Sequence, residues 1–143
     1  MNERIAVIVS MYYEELAEEM LEAAEKKIKE EKAKVAFVFR VRGSFDAALP
    51  AKKLLQRKDV DALIALGSVV TGETAHDLIV AENAARKLID LSTELEKPVG
   101  LGISGPKMNY EQAKNRAKDF AEGAVEAVLM NLRGLKELNK KLK

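Results

Sequence analysis

A single histidine occurs in the 143-residue chain. It stands at position 76 in the run Gly72-Glu73-Thr74-Ala75-His76-Asp77, between an apolar stretch and a long helical pattern. Imidazole gives and takes protons near neutrality, so one copy at the mouth of a helix is a candidate general acid and base. A lone histidine at a helix start is also often a surface or capping residue. The same run begins on glycine and enters a helix, which leaves backbone N–H groups and the positive end of the helix dipole to hold a phosphate, with the Thr74 hydroxyl as a further donor. Glu73 repels an anion unless its carboxylate turns away, so a phosphate site here needs an arginine from elsewhere. Arg116, the only arginine in the last helical segment before Arg133, can supply it; read alone, it is a solvated charge on a helix face.

A second set is Gly43-Ser44-Phe45-Asp46. It offers an aromatic face, a hydroxyl and a carboxylate beside a glycine that permits close backbone approach, which suits a flat polar heterocycle. A packing turn with Phe45 in the core accounts for the same residues. Tyr12 and Tyr13 are likewise open between core and rim.

These residues need a scaffold that brings them to one place. Arg4 to Ser10 is a β-branched run of strand length, and Glu14 to about Glu31 switches to helical period with Ala17, Leu21, Ala24 and Ile28 on one stripe. Acidic residues fill the first turns of that helix and lysines its end, as the dipole prefers. Lys34 to Phe39 reads as a second strand, followed by a glycine turn and a short helix from Ala47 to about Arg57 with Pro50 in or near its first turn. Ala62 to Val70 is a near-continuous apolar strand. His76 to about Leu95 is a helix with a stripe through Ile79, Asn83, Arg86 and the neighbourhood of Leu88, ended by Lys97-Pro98. Val99 to Ile103 is the fourth strand. Asn109 with Gln112 forms an N-cap and capping box for a helix from Tyr110 to about Leu132, and the basic tail to Lys143 continues as helix.

Four strands alternating with helices imply a single domain over residues 1–143, an open parallel sheet covered on both faces in a three-layer αβα sandwich. In such sheets ligands bind beyond the carboxyl ends of the strands. That rule gathers Met11 to Tyr13, Arg42 to Asp46, Thr71 to His76 and Ser104 to Lys107 on one rim.

Composition narrows the chemistry. With 24 Lys plus Arg against 23 Asp plus Glu, the net charge of +1 sets up no field for nucleic acid or an anionic membrane. The absence of cysteine excludes disulfides, thiol catalysis and Cys-ligated zinc, and one histidine without a carboxylate cluster at ligand spacing argues for metal-free chemistry. The N-terminal apolar run is too short, and too soon followed by acidic residues, for a signal peptide or membrane span, which points to the cytoplasm.

Taken together and in order, GSFD, DALIALGSVV, GETAH, NAARK, KPVGLGISGP and EQAKNRA resemble the lumazine synthase family, especially its archaeal branch, from Ile5 to about Val128. Each fragment is weak alone; their joint occurrence is specific. The resemblance implies a flavodoxin-like four-stranded parallel sheet. It also implies pentamers, sometimes twelve of them in a hollow icosahedral shell, with active sites between neighbouring subunits. The implied reaction condenses 5-amino-6-ribitylaminouracil with 3,4-dihydroxy-2-butanone 4-phosphate without metal or organic cofactor. Under it, His76 matches the proton-transfer histidine, Gly72, Glu73 and Thr74 the phosphate loop, and Arg116 the arginine paired with the phosphate. Tyr12 falls at the pyrimidine-stacking position, and Gly43, Ser44, Phe45 and Asp46 fall where the ring and ribityl chain are held. Val69 and Val70 line the floor, and Leu101 stands where bacterial members often place an aromatic residue from the adjacent subunit.

Departures from the family pattern are Tyr12-Tyr13 in place of Phe-Asn, Arg42-Gly43 in place of Pro-Gly, Asp46 for the commoner Glu, and a proline displaced to Pro50. The lysine that follows the phosphate arginine in many bacterial members has no counterpart, with Lys107 and Lys118 the nearest candidates. A non-catalytic or engineered shell-forming relative is the alternative these departures suggest. Archaeal riboflavin synthase is a third reading, but its strand-three loop does not read Gly-Glu-Thr followed by this histidine.

Overall fold

The computed structural model describes residues 2–142. In chain order the elements are β1 (Arg4–Ser10), α1 (Glu14–Glu30), β2 (Lys34–Val41), a 3-10 turn (Ser44–Ala47) leading into α2 (Ala48–Leu55), β3 (Ala62–Ser68), α3 (His76–Leu95), β4 (Val99–Ser104) and α4 (Tyr110–Lys141). All strands pair in parallel, in the order β2-β1-β3-β4. This is the open parallel sandwich the strand and helix alternation predicts, in the flavodoxin-like form the family resemblance implies.

The two-residue period of the strands divides the core. Ile5, Val7, Val9, Ile64 and Leu66 face α1 and α4, while Ala6, Ile8, Leu63 and Ala65 face α2 and α3. On α1, the predicted stripe of Ala17, Leu21, Ala24 and Ile28 is buried, joined by Leu16 and Met20. Pro50 is the third residue of α2, within the first turn, where no intrahelical partner is needed for its nitrogen. The Asn109 capping box forms as expected: Gln112 N–H donates to Asn109 Oδ1 at 2.8 Å and Asn109 N–H to Gln112 Oε1 at 2.9 Å.

Three expectations need correction. β2 continues through Arg40 and Val41, two residues beyond Phe39, while β3 stops at Ser68, so Val69 and Val70 leave the sheet. On α3 the buried residues are Asp77, Ala81, Ala84, Leu88 and Leu91. Ile79, Asn83 and Arg86 are exposed, and Asn83 Nδ2 donates to the Ile79 carbonyl at 2.7 Å. A carboxylate on the inner face and an isoleucine on the outer one disguised the true stripe.

Helix α4 is one continuous element of 32 residues. It lies close on β4 because Gly100 and Gly102 carry no side chain: a Cβ on Gly100 would collide with the Ala124 carbonyl, and one on Gly102 would come within 2.6 Å of Leu66 Cδ2. Ala113, Ala117, Ala121 and Ala124 form the matching small face of the helix. Near its other end, Arg133 clasps the amino edge of the sheet, with Nε 3.0 Å from Glu3 Oε2 and Nη2 2.9 Å from the Glu31 carbonyl. Next to it Arg4 holds Asp61 through Nε and Nη2, each at 3.0 Å. The Arg133 guanidinium holds the Glu3 carboxyl below its ordinary range, and Arg4 does the same for Asp61.

Candidate active site

From β1 the chain moves outward to β2 and then returns past β1 to β3. The strand order therefore reverses between β1 and β3, and the crevice beyond their carboxyl ends is the expected ligand position. The loops after β1, β2 and β3 meet there, as the sequence predicts.

The β3–α3 loop supplies the exposed residues Gly72, Glu73, Thr74 and His76. Its β3 end is anchored to the β4–α4 side, by Val69 N–H to the Ser104 carbonyl at 3.1 Å and Thr71 N–H to the Met108 carbonyl at 2.8 Å. Among the described residues, the N–H groups of Gly72, Glu73 and Thr74 donate to no protein acceptor. They precede the α3 N-terminus, so the arrangement is suited to an anion. Thr74 Oγ1 accepts from His76 N–H at 3.3 Å, which fixes the hydroxyl oxygen and leaves its proton free to donate. Val69 is buried under this loop and Val70 half-buried.

Behind the loop sits a residue that the sequence reading passed over. Asp77 is only 6% exposed. Its Oδ2 accepts the Lys107 N–H at 3.0 Å and the Thr71 hydroxyl at 3.4 Å. The Lys107 N–H, with smaller contributions from the Leu78 N–H and the Thr71 hydroxyl, holds the carboxyl below its ordinary range against the opposing effect of burial. An acidic residue one position into a helix is the available signal, and it reads as a dipole partner until the neighbouring loop is seen.

After β2, Asp46 closes its own turn, its Oδ2 accepting the Gly43 N–H at 3.1 Å. Phe45 is thereby turned outward, 63% exposed, which removes the packing-turn reading. Ser44 points the other way. It is buried, its hydroxyl has no partner among the described residues, and it fills the space left by Gly67, where a Cβ would lie 2.6 Å from Ser44 Oγ. Phe45 and Asp46 open onto a concavity of about 940 Å³ that also includes Arg42, Leu49, Asn83 and Lys87. Asn83 and Lys87 were not anticipated as its lining. His76 and Thr74 are not part of that concavity.

Three tyrosines form an edge-to-face row on the opposite side of the rim. Tyr12 and Tyr13 have ring centroids 5.0 Å apart, and Tyr13 and Tyr110 are 5.5 Å apart. Tyr12, 65% exposed, presents a free ring face. Burial, followed by the neighbouring phenols Tyr12 and Tyr110, pushes the Tyr13 hydroxyl above its ordinary range.

Two expected participants stand apart. Arg116 is exposed on α4 and makes no ion pair or hydrogen bond with the described residues. Leu101 is 49% exposed on β4 at the outer edge of the sheet. Of the substitutes considered for the missing lysine, Lys107 is exposed on the β4–α4 loop, whereas Lys118 lines a groove beside Glu15, Glu18, Glu19 and Glu22 of α1.

The sequence model of the family described as 6,7-dimethyl-8-ribityllumazine synthase matches residues 2–136. Proteins of that name are similar over most of the chain. The one from Saccharolobus islandicus is 44% identical over 126 residues, covering 88% of this chain and 82% of the relative. That from Methanobrevibacter smithii is 42% identical over 134 residues, covering 94% and 96%. The Methanococcus maripaludis protein is 49% identical over 106 residues, covering 74% and 77%.

Proposed function

The chain belongs to the 6,7-dimethyl-8-ribityllumazine synthase family, and from that premise we propose how this sequence performs the condensation. Residues 1–143 act as one unit that joins 5-amino-6-ribitylaminouracil to 3,4-dihydroxy-2-butanone 4-phosphate, releases phosphate and forms the lumazine. The observation that carries this reading is the β3–α3 loop: N–H groups at Gly72 to Thr74 unpaired among the described residues, the α3 N-terminus and the only histidine, all at the reversal point of the sheet.

In this reading Gly72, Glu73 and Thr74 bind the phosphate through backbone and hydroxyl donors, and Arg116 pairs with its charge and stabilises it as a leaving group. His76 moves protons as the amine adds to the ketone and as phosphate departs. The uracil ring lies against Tyr12, with Phe45 and Asp46 holding ring and ribityl chain over Val69 and Val70, while Ser44, buried behind Gly67, braces the Gly43 turn from within. Confining both substrates to one pocket is the largest contribution, about 7–11 kcal/mol of barrier in favourable cases.

Assembly completes the site. Arg116 and Leu101 come to the loop from a neighbouring copy, in pentamers that stand alone or join as twelve in a shell. Several apolar side chains support a ring of this kind: Phe37 is 48% exposed, Phe39 39%, Leu49 68% and Ile89 61%, more than a lone globule of this size tends to leave wet. The β2 edge of one copy would meet the β4 side of the next, a head-to-tail contact that closes on itself. The protein works in the cytoplasm. No helix among the described residues is long and apolar enough to cross a membrane.

Mixing the purified protein with both substrates should generate lumazine fluorescence and one released phosphate per turnover. Neither signal above the spontaneous rate would end the catalytic reading and leave the shell-forming relative. Light scattering separates pentamer from sixty-subunit shell.

A further inference from the structure

We infer that Asp77 is a positioning residue for the reaction: its carboxylate locks the β3–α3 loop to the β4–α4 loop, and so holds the anion cradle of Gly72 to Thr74 in shape. The inference rests on the phosphate role proposed for that cradle. An aspartate in the first turn of a helix ordinarily serves its own helix, facing solvent and offsetting the dipole. Asp77 reaches beyond its own helix. It is buried, and one oxygen collects donors from two other places, the Lys107 N–H at 3.0 Å and the Thr71 hydroxyl at 3.4 Å.

Both donors belong to the segments that flank the cradle. Thr71 immediately precedes Gly72, and its own N–H already reaches across to the Met108 carbonyl at 2.8 Å. Side chain and backbone thus make two parallel ties between the same loops. Lys107 sits at a φ of 61°, in the left-handed region that side chains disfavour and that persists where surroundings over-determine it. The bond from its N–H to Asp77 is one such determinant. The carboxylate also lies near the place where the substrate phosphate is proposed to bind, and its hydrogen bonds point it into the protein. The cradle N–H groups are left to the ligand instead of being taken by the nearest protein anion.

The backbone tie survives any change of side chain, so Asp77→Ala should loosen the cradle without unfolding the chain. Three variants, Asp77→Ala, Asp77→Asn and Asp77→Glu, are to be compared with the unmodified protein. The readouts are KM for each substrate, kcat, the inhibition constant of inorganic phosphate against the phosphorylated substrate, and the thermal midpoint. For Asp77→Ala, losing a hydrogen bond to a charged acceptor should raise that KM and the phosphate inhibition constant together, each about tenfold, and leave KM for the pyrimidine within about twofold. Asp77→Asn, whose amide oxygen still accepts the Lys107 N–H, should recover most of the loss. Asp77→Glu keeps the charge but overfills the slot, and should show the same selective rise as the alanine variant, which preserves the test if that variant does not fold.

Equal changes in both KM values, or a lower thermal midpoint with neither KM moved, would reduce Asp77 to a structural residue and overturn the inference. If phosphate competes equally well in the unmodified and alanine proteins, the inference alone falls. Failure of phosphate to compete in the unmodified protein removes the cradle reading, and this inference with it.

Discussion

The two ends of the sheet are built on opposite principles. At the amino ends of the strands, charged groups are matched: Glu3 with Arg133, Glu31 with Arg133, Arg4 with Asp61. At the carboxyl ends, His76, Glu73 and Arg116 stand exposed, without an ion pair among the described residues. The first arrangement satisfies each group inside one chain. In the second, donors and charges are held in place by their neighbours but not consumed by them, which costs stability and is useful only when a ligand or a second copy completes the set. Asp77 lies at the boundary: a matched, buried carboxylate directly behind unmatched N–H groups.

If that contrast holds, substitutions at one end should alter rates and at the other stability. The largest separation is expected for His76→Ala, with kcat lowered about a hundredfold in steady-state assays, substrate KM values little changed and no loss in thermal midpoint. Arg116→Ala should follow. Removing a charge-assisted contact should cost about thirtyfold in kcat/KM, mostly through KM of the phosphorylated substrate. An unchanged rate in both variants would erase the distinction. At the opposite end, Arg133→Ala should leave kcat/KM alone and destabilise by about 1–2 kcal/mol, because Arg133 is half exposed while Glu3 is buried. Calorimetry should register that as a drop of about 3–6 °C.

The smallest effect is the pH dependence of the same clasp. The folded values of Glu3 and Asp61 lie below their ordinary 4.5 and 3.8. Their contribution is therefore present above the unfolded values and lost as pH falls through the folded ones. The thermal midpoint should decline on acidification below about pH 4.5, and less steeply in Arg133→Ala than in the unmodified chain. Equal slopes would show that the clasp carries no linkage.

Element order and type were legible because apolar period and turn chemistry agreed almost everywhere. The misreadings share a cause. Val69 and Val70 continue the apolar run of β3, yet their place depends on β4, whose last residue, Ser104, pairs with Ser68; sequence alone does not say where a neighbouring strand stops. On α3 the buried Asp77 and exposed Ile79 invert the usual rule because the first is bonded to another loop and the second lies on the outer face. The candidate site was legible to the extent that its residues sit beyond strand ends. What pairing Arg116 makes was not, since local pattern places it on a helix face and stops there.

The long helix α4 has a mechanical consequence. Arg116 and Arg133 lie on one rod, seventeen positions and about 25 Å apart at the usual rise, the first waiting at the open end and the second tied at the closed one. Pivoting about that tie by only ~2° would carry the Arg116 backbone ~1 Å sideways, an error that, under the phosphate role proposed for Arg116, costs up to roughly two orders of magnitude in rate. Gly100 and Gly102, by letting the rod lie flush on β4, restrict that swing. Two residues with no side chains thus limit how far the Arg116 end of the rod can stray.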